Sequence, residues 1–303
     1  MKVGLVGLGP IGMEAGRALA GRVELVGAAD PAFDGQELPW GGRALPSAAA
    51  LYAEAAPEVC VLCTGSTLPS IAASLEEAIE AGVHVVSSCE ELADPWLRHP
   101  TLAAILDEHA RARGVVVLGV GVNPGLVMDR LAWTVLSACA SAKKVTIARV
   151  VDAGKRRGPL RAKVGEGLSP QDFERGVAAG RLGHVGLGES AAVVARFLGD
   201  EVALAELRET IAPVIDQASG KVLGVRQSAE LGRVRLELQM SVGAPAPADR
   251  IVVDGDPPVD LTIAGGLHGD RATVGTLVNG VRLVASMAPG LRGALDHAPR
   301  FRL

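Results

Sequence analysis

The chain has 303 residues, 30 of them Lys or Arg against 34 Asp or Glu, and a net charge of -4. That balance excludes the strongly basic surface of a nucleic-acid scaffold, while 38 glycines among many alanines and valines fit a folded α/β chain rather than a disordered one. Aromatic residues make up only 3%, so any pocket must be walled mainly by aliphatic side chains.

Lys2 to Val6 reads as a short buried strand, followed at once by the turn Gly7-Leu8-Gly9-Pro10-Ile11-Gly12 and a helical run from Met13 to Ala20. A second apolar strand, Val23 to Ala29, ends on Asp30. This order is what holding a dinucleotide requires. Gly7 permits the tight turn, Gly9 lets the backbone approach a pyrophosphate, and Gly12 lets helix and strand pack closely. Pro10 and Ile11 lie in the turn, and the free amides and dipole of the helix that follows face the phosphate charge. Asp30 suits an adenosine ribose 2′-hydroxyl and repels a 2′-phosphate. No Arg or Lys occurs between Asp30 and Arg43. NAD is therefore expected in preference to NADP, with NADP still admitted if Arg43 swings in.

Pro31 to Pro46 reads as an irregular loop, and Ser47 caps a short helix through Glu54. Val59 to Cys63 is the next buried strand and leads into Thr64-Gly65-Ser66. Pro69 to Ala81 is helical, with apolar residues at Ile71, Leu75 and Ile79. Val83 to Ser87 is a strand ending in Ser87-Ser88-Cys89-Glu90-Glu91. A helix over 101–113 leads to the strand Val115 to Val120, and Gly121-Val122-Asn123-Pro124-Gly125 starts a helix running to about Ala138. Strands alternating with helices, each strand apolar throughout, describe a doubly wound parallel sheet of the Rossmann type over residues 1–142.

The pattern changes near Lys143. Val145 to Asp152 alternates as a strand with one wet face, and residues 154–168 are basic and glycine-rich. Helices follow over 171–179 and 190–198, then strand-like runs at 222–227, 234–242, 250–253 and 259–264. This predicts an α+β substrate and dimerisation domain over 143–271 with a mainly antiparallel sheet. The last helix, 272–288, is expected to pack back on the first domain. The alternation Val234, Leu236, Leu238, Met240 would leave an apolar face needing cover, which points to a homodimer formed through residues beyond Val145. Met1 begins the first core strand without a signal peptide, and no apolar run is long enough to cross a bilayer, so a cytoplasmic location off the membrane is expected. Cys60, Cys63, Cys89 and Cys139 fit a reducing compartment. Cys60 and Cys63 spell C-x-x-C, but in a strand they point to opposite faces and read as buried thiols rather than a redox pair or a metal site.

In an open parallel sheet, ligands bind beyond the carboxyl ends of the strands. Four segments meet that description: the Gly7 turn, Thr64-Gly65-Ser66, Ser87 to Glu91, and Gly121 to Gly125. Thr64 and Ser66 can bond cofactor ribose or phosphate, or Ser66 or Thr67 can simply cap the next helix. Asn123, before Pro124, offers an amide suited to the nicotinamide carboxamide, or to its own turn. Glu90 and Glu91 are adjacent carboxylates just past a buried strand. Their repulsion and desolvation can raise one pKa toward neutrality and fit it for proton transfer beside the nicotinamide, unless both merely start the next segment. His184, in a turn before a helix, reaches either the substrate or a loop carbonyl. Lys155, Arg156, Arg157, Arg161 and Lys163 form a basic run that holds an anion or is simply solvated.

These segments resemble a known family. Gly7 to Gly12, Ser87-Ser88-Cys89-Glu90-Glu91-Leu92, Gly121-Val122-Asn123-Pro124-Gly125, Lys155 to Leu160 with Lys163-Val164-Gly165, Gly183 to Ser190, and Gly269-Asp270-Arg271-Ala272-Thr273 are similar to dihydrodipicolinate-reductase-like oxidoreductases. Within these, the resemblance is to 2,4-diaminopentanoate dehydrogenases and native amine dehydrogenases. It implies NAD(P)-dependent interconversion of an amine with a ketone or aldehyde plus ammonia. The catalytic glutamate falls on Glu90, with Glu91 in reserve. The substrate pocket is placed at Val122, Leu126 and Val127, with His184 and Thr273 counted beside them. The first three are smaller than the aromatics of several relatives. The His-His pair and Lys of true dihydrodipicolinate reductases are absent, which argues against lysine biosynthesis. A dehydrogenase acting on an aldehyde, alcohol or imine acid, and a cofactor-binding sensor without turnover, are the competing readings.

Overall fold

The computed structural model describes residues 1–155 and 158–296. The chain divides into two compact units, one comprising Met1–Leu126 with His268–Leu303 and the other Val127–Leu267. The first unit therefore ends well before the composition shift at Lys143.

In chain order the first unit begins β1 (Lys2–Val6), α1 (Pro10–Leu19), β2 (Glu24–Ala29), β3 (Ala44–Leu45), α2 (Ala48–Ala55), β4 (Val59–Leu62) and α3 (Leu68–Glu80). It continues with β5 (His84–Ser87), a 3-10 turn over Glu90–Ala93, α4 (Pro95–Arg98), α5 (Pro100–Ala112) and β6 (Val116–Gly119). The second unit holds α6 (Arg130–Leu136), β7 (Ser141–Asp152), α7 (Gly158–Lys163), α8 (Pro170–Ala178) and α9 (Leu187–Phe197). Five strands complete it: β8 (Arg208–Ile215), β9 (Val222–Leu231), β10 (Val234–Ser241), β11 (Ala248–Asp256) and β12 (Val259–Ala264). The chain then returns to the first unit with α10 (Gly269–Val284) and β13 (Gly290–Arg292).

The seven strands of the first unit run in the order β13-β6-β5-β4-β1-β2-β3, and every pairing is parallel. Alternate residues of one strand feed opposite cores. Cys60 and Leu62 join Leu51, Ile71, Leu75 and Leu106 on one face. Val59 and Val61 join Leu5, Ala15, Leu19, Leu277 and Val281 on the other. Each such Leu or Ile contributes about 1.5–3 kcal/mol by leaving water. Helix α10 packs on α1, β5 and β6; it starts at Gly269, three residues before the expected position, with the His268 side chain accepting from the Arg271 N–H. Cys60 lies in one core and Cys63 packs against the other, and burial pushes their thiols up to about 12 and about 11.

The second sheet has the order β12-β11-β7-β10-β9-β8, with β7 and β10 its one parallel pair among these strands. The α9 helix packs on β9 and β10. Val234, Leu236, Leu238 and Met240 are thereby buried inside the chain itself, so the expectation that they need a partner subunit to cover them is corrected. Strand β8 was not expected: none of its eight residues is buried, and it contains Pro213. The helix expected directly after Gly125 begins only at Arg130, where the Asp129 carboxylate caps it. Among the described residues no helix is long and apolar enough to cross a membrane.

His84 opens β5, and its Nδ1 accepts the Val116 N–H at 3.0 Å, which requires a neutral imidazole. Burial holds its pKa below the ordinary histidine value, against the opposing pull of Glu58. The unfolded chain binds this proton more readily than the native one, so stability is complete above about pH 6.5 and declines as pH falls below it. Melting curves of the wild type and His84→Leu at pH 7.5 and pH 5 should show the gap between them narrowing on acidification.

Candidate active site

The glycine turn after β1 packs too closely on the protein for a side chain at Gly7 or Gly12. Gly7 has φ +91, and a Cβ there would sit 2.8 Å from the Cys63 carbonyl. A Cβ on Gly12 would overlap the Gly7 carbonyl oxygen. Gly9 is the opposite case, because a Cβ there meets nothing within 4 Å. The turn is thus closed toward the protein and open outward. No side chain caps α1, and Pro10 at its start has no N–H to satisfy. The residues present fit a pyrophosphate laid on open backbone at a helix start.

Asp30 ends β2 and is already engaged. One carboxylate oxygen accepts the Leu8 N–H at 2.7 Å and the other accepts the Ala32 N–H at 2.9 Å. Each oxygen keeps a second lone pair for an incoming hydroxyl. Arg43 donates to the Gly35 carbonyl at 2.8 Å and pairs with Glu37 at 3.3 Å, which occupies it within its own loop.

The strand order lines up the four anticipated segments and Asp30 at one sheet edge. Reading from β6 to β2, they are the Asn123 turn, the Glu90 turn, Thr64–Ser66, the glycine turn and Asp30. At about 4.8 Å per strand, Asp30 and the Glu90 turn stand three spacings apart, about 14 Å, a span suited to an extended dinucleotide. Helices α1 and α3 leave on opposite faces, so the junction of β1 and β4 is the topological switch point where such sheets bind ligands.

The two glutamates separate. Glu91 is buried, and its Oε2 accepts the Leu68 N–H at 2.6 Å and lies 3.1 Å from His99 Nε2. Glu90 is half-buried at the head of the turn. Thus the adjacent carboxylates do not share one environment, and the anticipated alternative of a Ser66 or Thr67 cap for α3 is replaced by one from Glu91. Thr64 is exposed and Ser66 half-buried, while Gly65 packs against Ser70 and Ile71. Asn123 Oδ1 is buried with no hydrogen-bond partner among the described residues, and Pro124 beside it is buried.

The pocket residues are scattered over both units. Val122 is buried, and Leu126 and Thr273 are half-buried, all in the first unit. In the second unit, Val127 is fully buried, and the His184 backbone is clasped by Gln227, which accepts its N–H at 2.6 Å and donates to its carbonyl at 3.2 Å. The clasp holds the turn before α9. Arg161 of the basic run pairs with Glu166; Arg156 and Arg157 lie outside the described residues. Sequence reasoning missed a buried polar group in the second unit: Asp129, Arg130, Glu189 and Ser190. Ser190 Oγ donates to Asp129 at 2.8 Å, and burial lowers the Arg130 pKa despite the neighbouring Asp129 carboxylate. The Asp129-Arg130 pair before an apolar stretch was the available signal.

A glycine turn, an acid at the second strand and polar turns in a row define the class of dinucleotide-dependent oxidoreductases. The comparisons agree with that class. Residues 126–300 match the family model for the 2,4-diaminopentanoate dehydrogenase C-terminal domain. The 2,4-diaminopentanoate dehydrogenase of Acetoanaerobium sticklandii is 28% identical over 263 residues, which cover 80% of this chain and 74% of that one. Among solved structures, the amine dehydrogenase from Mycobacterium smegmatis superposes with a TM-score of 0.86 at 21% identity, covering 100% of this chain and 97% of that one. The WlbA dehydrogenase from Bordetella pertussis, in complex with NADH and UDP-GlcNAcA, gives 0.58 at 17% identity over 98% and 92% of the two chains. The chain belongs to the 2,4-diaminopentanoate dehydrogenase C-terminal-domain family, and it is an oxidoreductase of that family.

Proposed function

We propose that this protein is an NAD-preferring amine dehydrogenase that interconverts a small amine with a ketone or aldehyde plus ammonia. The observation that carries the reading is the row of polar turns along the first unit's sheet edge, with Glu90 between the Asn123 turn and the Thr64–Ser66 loop. The family membership and the amine-dehydrogenase likeness support it. The 2,4-diaminopentanoate substrate of the A. sticklandii relative is the second reading, supported by the 28% identity. The first unit would bind cofactor and the second would supply substrate and assembly surfaces.

The cofactor would be held by the open backbone of Gly7, Gly9, Pro10, Ile11 and Gly12, by Asp30, and by Thr64, Gly65 and Ser66. Asn123 Oδ1, a buried acceptor without a partner among the described residues, suits the carboxamide N–H of the nicotinamide. When bound, the nicotinamide supplies the hydride donor or acceptor. The chain's own part is proton transfer and charge. In the oxidative direction the Glu90 carboxylate takes a proton from the substrate ammonium and frees the nitrogen lone pair. In the reductive direction the protonated Glu90 gives its proton to the carbinolamine hydroxyl as water leaves, and the amine formed by hydride transfer then takes up a proton to become the ammonium. Its negative charge also stabilises a cationic iminium carbon–nitrogen bond. Val122 and Leu126 of the first unit are proposed to face the substrate, aliphatic and so suited to excluding competing water.

We place the enzyme in the cytoplasm and propose a homodimer through the second sheet. The face opposite α9 carries the half-buried Thr146, Ala148, Val150 and Val252, with Arg235, Glu237, Gln239 and Arg250 beside them, a mixed surface for a second copy. Light scattering at micromolar concentration should give twice the mass of one chain, and a monomer would remove the proposal.

Asp30 sets the cofactor prediction. Its repulsion of a 2′-phosphate a few Å away is worth about 1–3 kcal/mol at partial exposure, about one to two orders of magnitude in affinity. NADH should bind more tightly than NADPH by that margin, and Asp30→Ser should erase it. A wild type binding NADPH at least as well would sink the assignment.

The functional test follows NADH formation with a panel of amines, amino acids and alcohols, and separates amine chemistry from the other two readings. Glu90→Gln keeps shape and polarity. It should bind NADH normally and turn over roughly 100- to 10,000-fold more slowly, the contribution of a positioned acid–base group. Near-normal turnover in Glu90→Gln would refute the proton role.

A further inference from the structure

The Glu91 carboxylate does not face outward. It is 7% exposed, and one oxygen takes the Leu68 N–H and the His99 imidazole together. Its own N–H donates to the Ser66 carbonyl at 3.3 Å. Helix α3 starts at Leu68, and the preceding Thr67 gives no side-chain cap. A carboxylate from a neighbouring turn therefore supplies what a Ser or Asp before the helix would ordinarily supply. Negative charge is favoured at that helix end, which offsets the desolvation of a buried carboxylate.

The same turn is gripped from two further sides. Any side chain on Gly119, at the end of β6, would collide with the Leu92 carbonyl. The Ala294 N–H donates to the Ala93 carbonyl at 3.0 Å. The Glu90 turn is thus fastened to the sheet by β6, to the C-terminal strand region by Ala294, and to the β4–α3 loop by Glu91 alone among these contacts.

We infer that Glu91 is a positioning residue: with His99 it locks the Thr64–Ser66 loop and the turn bearing Glu90 into one rigid piece. This rests on the proposed roles of Glu90 and of that loop. A carboxylate serves because one group must accept from two donors. A glutamine oxygen still accepts from Leu68 but carries no charge, and alanine accepts from neither.

The experiment compares Glu91→Ala, Glu91→Gln, His99→Gln and Glu90→Gln by NADH fluorescence titration, by kcat and KM across pH, and by melting temperature. Leaving the Leu68 N–H unsatisfied should weaken NADH binding about tenfold or more in Glu91→Ala, with kcat/KM falling at least as far. Glu91→Gln should recover to within about threefold of wild type, because its amide oxygen restores the cap. The pH limb of kcat that Glu90→Gln removes should persist in every Glu91 and His99 variant. Unchanged NADH affinity in Glu91→Ala overturns the inference, as does a Glu91→Gln that loses the pH limb and as much kcat as Glu90→Gln. Should Glu91→Ala fail to fold, Glu91→Gln and His99→Gln decide through the same limb. Normal turnover in Glu90→Gln would count against the role of Glu90 alone, since the NADH titration reads the loop regardless of who carries the proton.

Discussion

One steric constraint governs the first unit. Helix α1 can lie against β1 only because Gly12 has no side chain to overlap the Gly7 carbonyl oxygen, and Gly7 itself has no Cβ to strike the Cys63 carbonyl. Both contacts are between backbone atoms, which cannot move aside as a flexible side chain would. Everything at the sheet edge follows from that closeness. The Leu8 N–H is brought within 2.7 Å of Asp30, and the outer rim of the turn at Gly9 is left bare. A turn that must be tight on its inner side is, for the same reason, exposed backbone on its outer side. That is the surface a phosphate group needs.

The glutamate pair shows how a parallel sheet assigns unlike tasks to like residues. The two differ by one position in a 3-10 turn, so their side chains leave in different directions. Glu91 is directed at the start of α3 and is consumed by a backbone N–H and an imidazole. Glu90 begins the turn that follows β5, the strand between β4 and β6. Local geometry thus gives the two carboxylates different surroundings.

Much of this was legible in the residues, and the failures have physical causes. Buried parallel strands announce themselves as short runs of Val, Leu and Cys, so the five central strands of the first sheet were readable, whereas the edge strands β3, inside the stretch read as an irregular loop, and β13 are too short to show such a run. Strand β8 was not, because an edge strand with no buried residue lacks the alternation that marks one, and Pro213 argues against it. The onset of α6 was misplaced because the irregular stretch after Gly125 is as apolar as a helix would be. Only the Asp129 cap, a contact within the folded chain, shows where the helix begins. Likewise Glu91 as a helix cap depends on β4 and β5 lying side by side, which residue spacing does not encode. The buried Asp129, Arg130, Glu189 and Ser190 group joins the starts of two helices far apart in the chain.

The second unit raises the question of why an otherwise antiparallel sheet contains a parallel pair. Strands β7 and β10 run side by side in the same direction, so the chain must cross from one end of the sheet to the other between them. That crossover is long, and it contains α7, α8 and α9 as well as β8 and β9. Its reward is cover: α9, buried along nearly its whole length, lies on β9 and β10 and closes the face formed by Val234, Leu236 and Leu238. A sheet of hairpins alone would have left that face bare. The ion pair of Arg149 and Asp249 sits directly across the β7–β11 ladder at 2.7 Å, and both side chains are almost fully buried. Removing one partner of such a pair costs about 3–5 kcal/mol, because the other charge is left without compensation. Here the pair also grips the outgoing chain: Arg149 donates to the Leu267 carbonyl and Asp249 accepts the Leu267 N–H. The last residue of the second unit is thus held by both of its backbone polar groups at the point where the chain departs for α10. The crossover encloses the core of the unit, and the buried pair fixes where the chain leaves it.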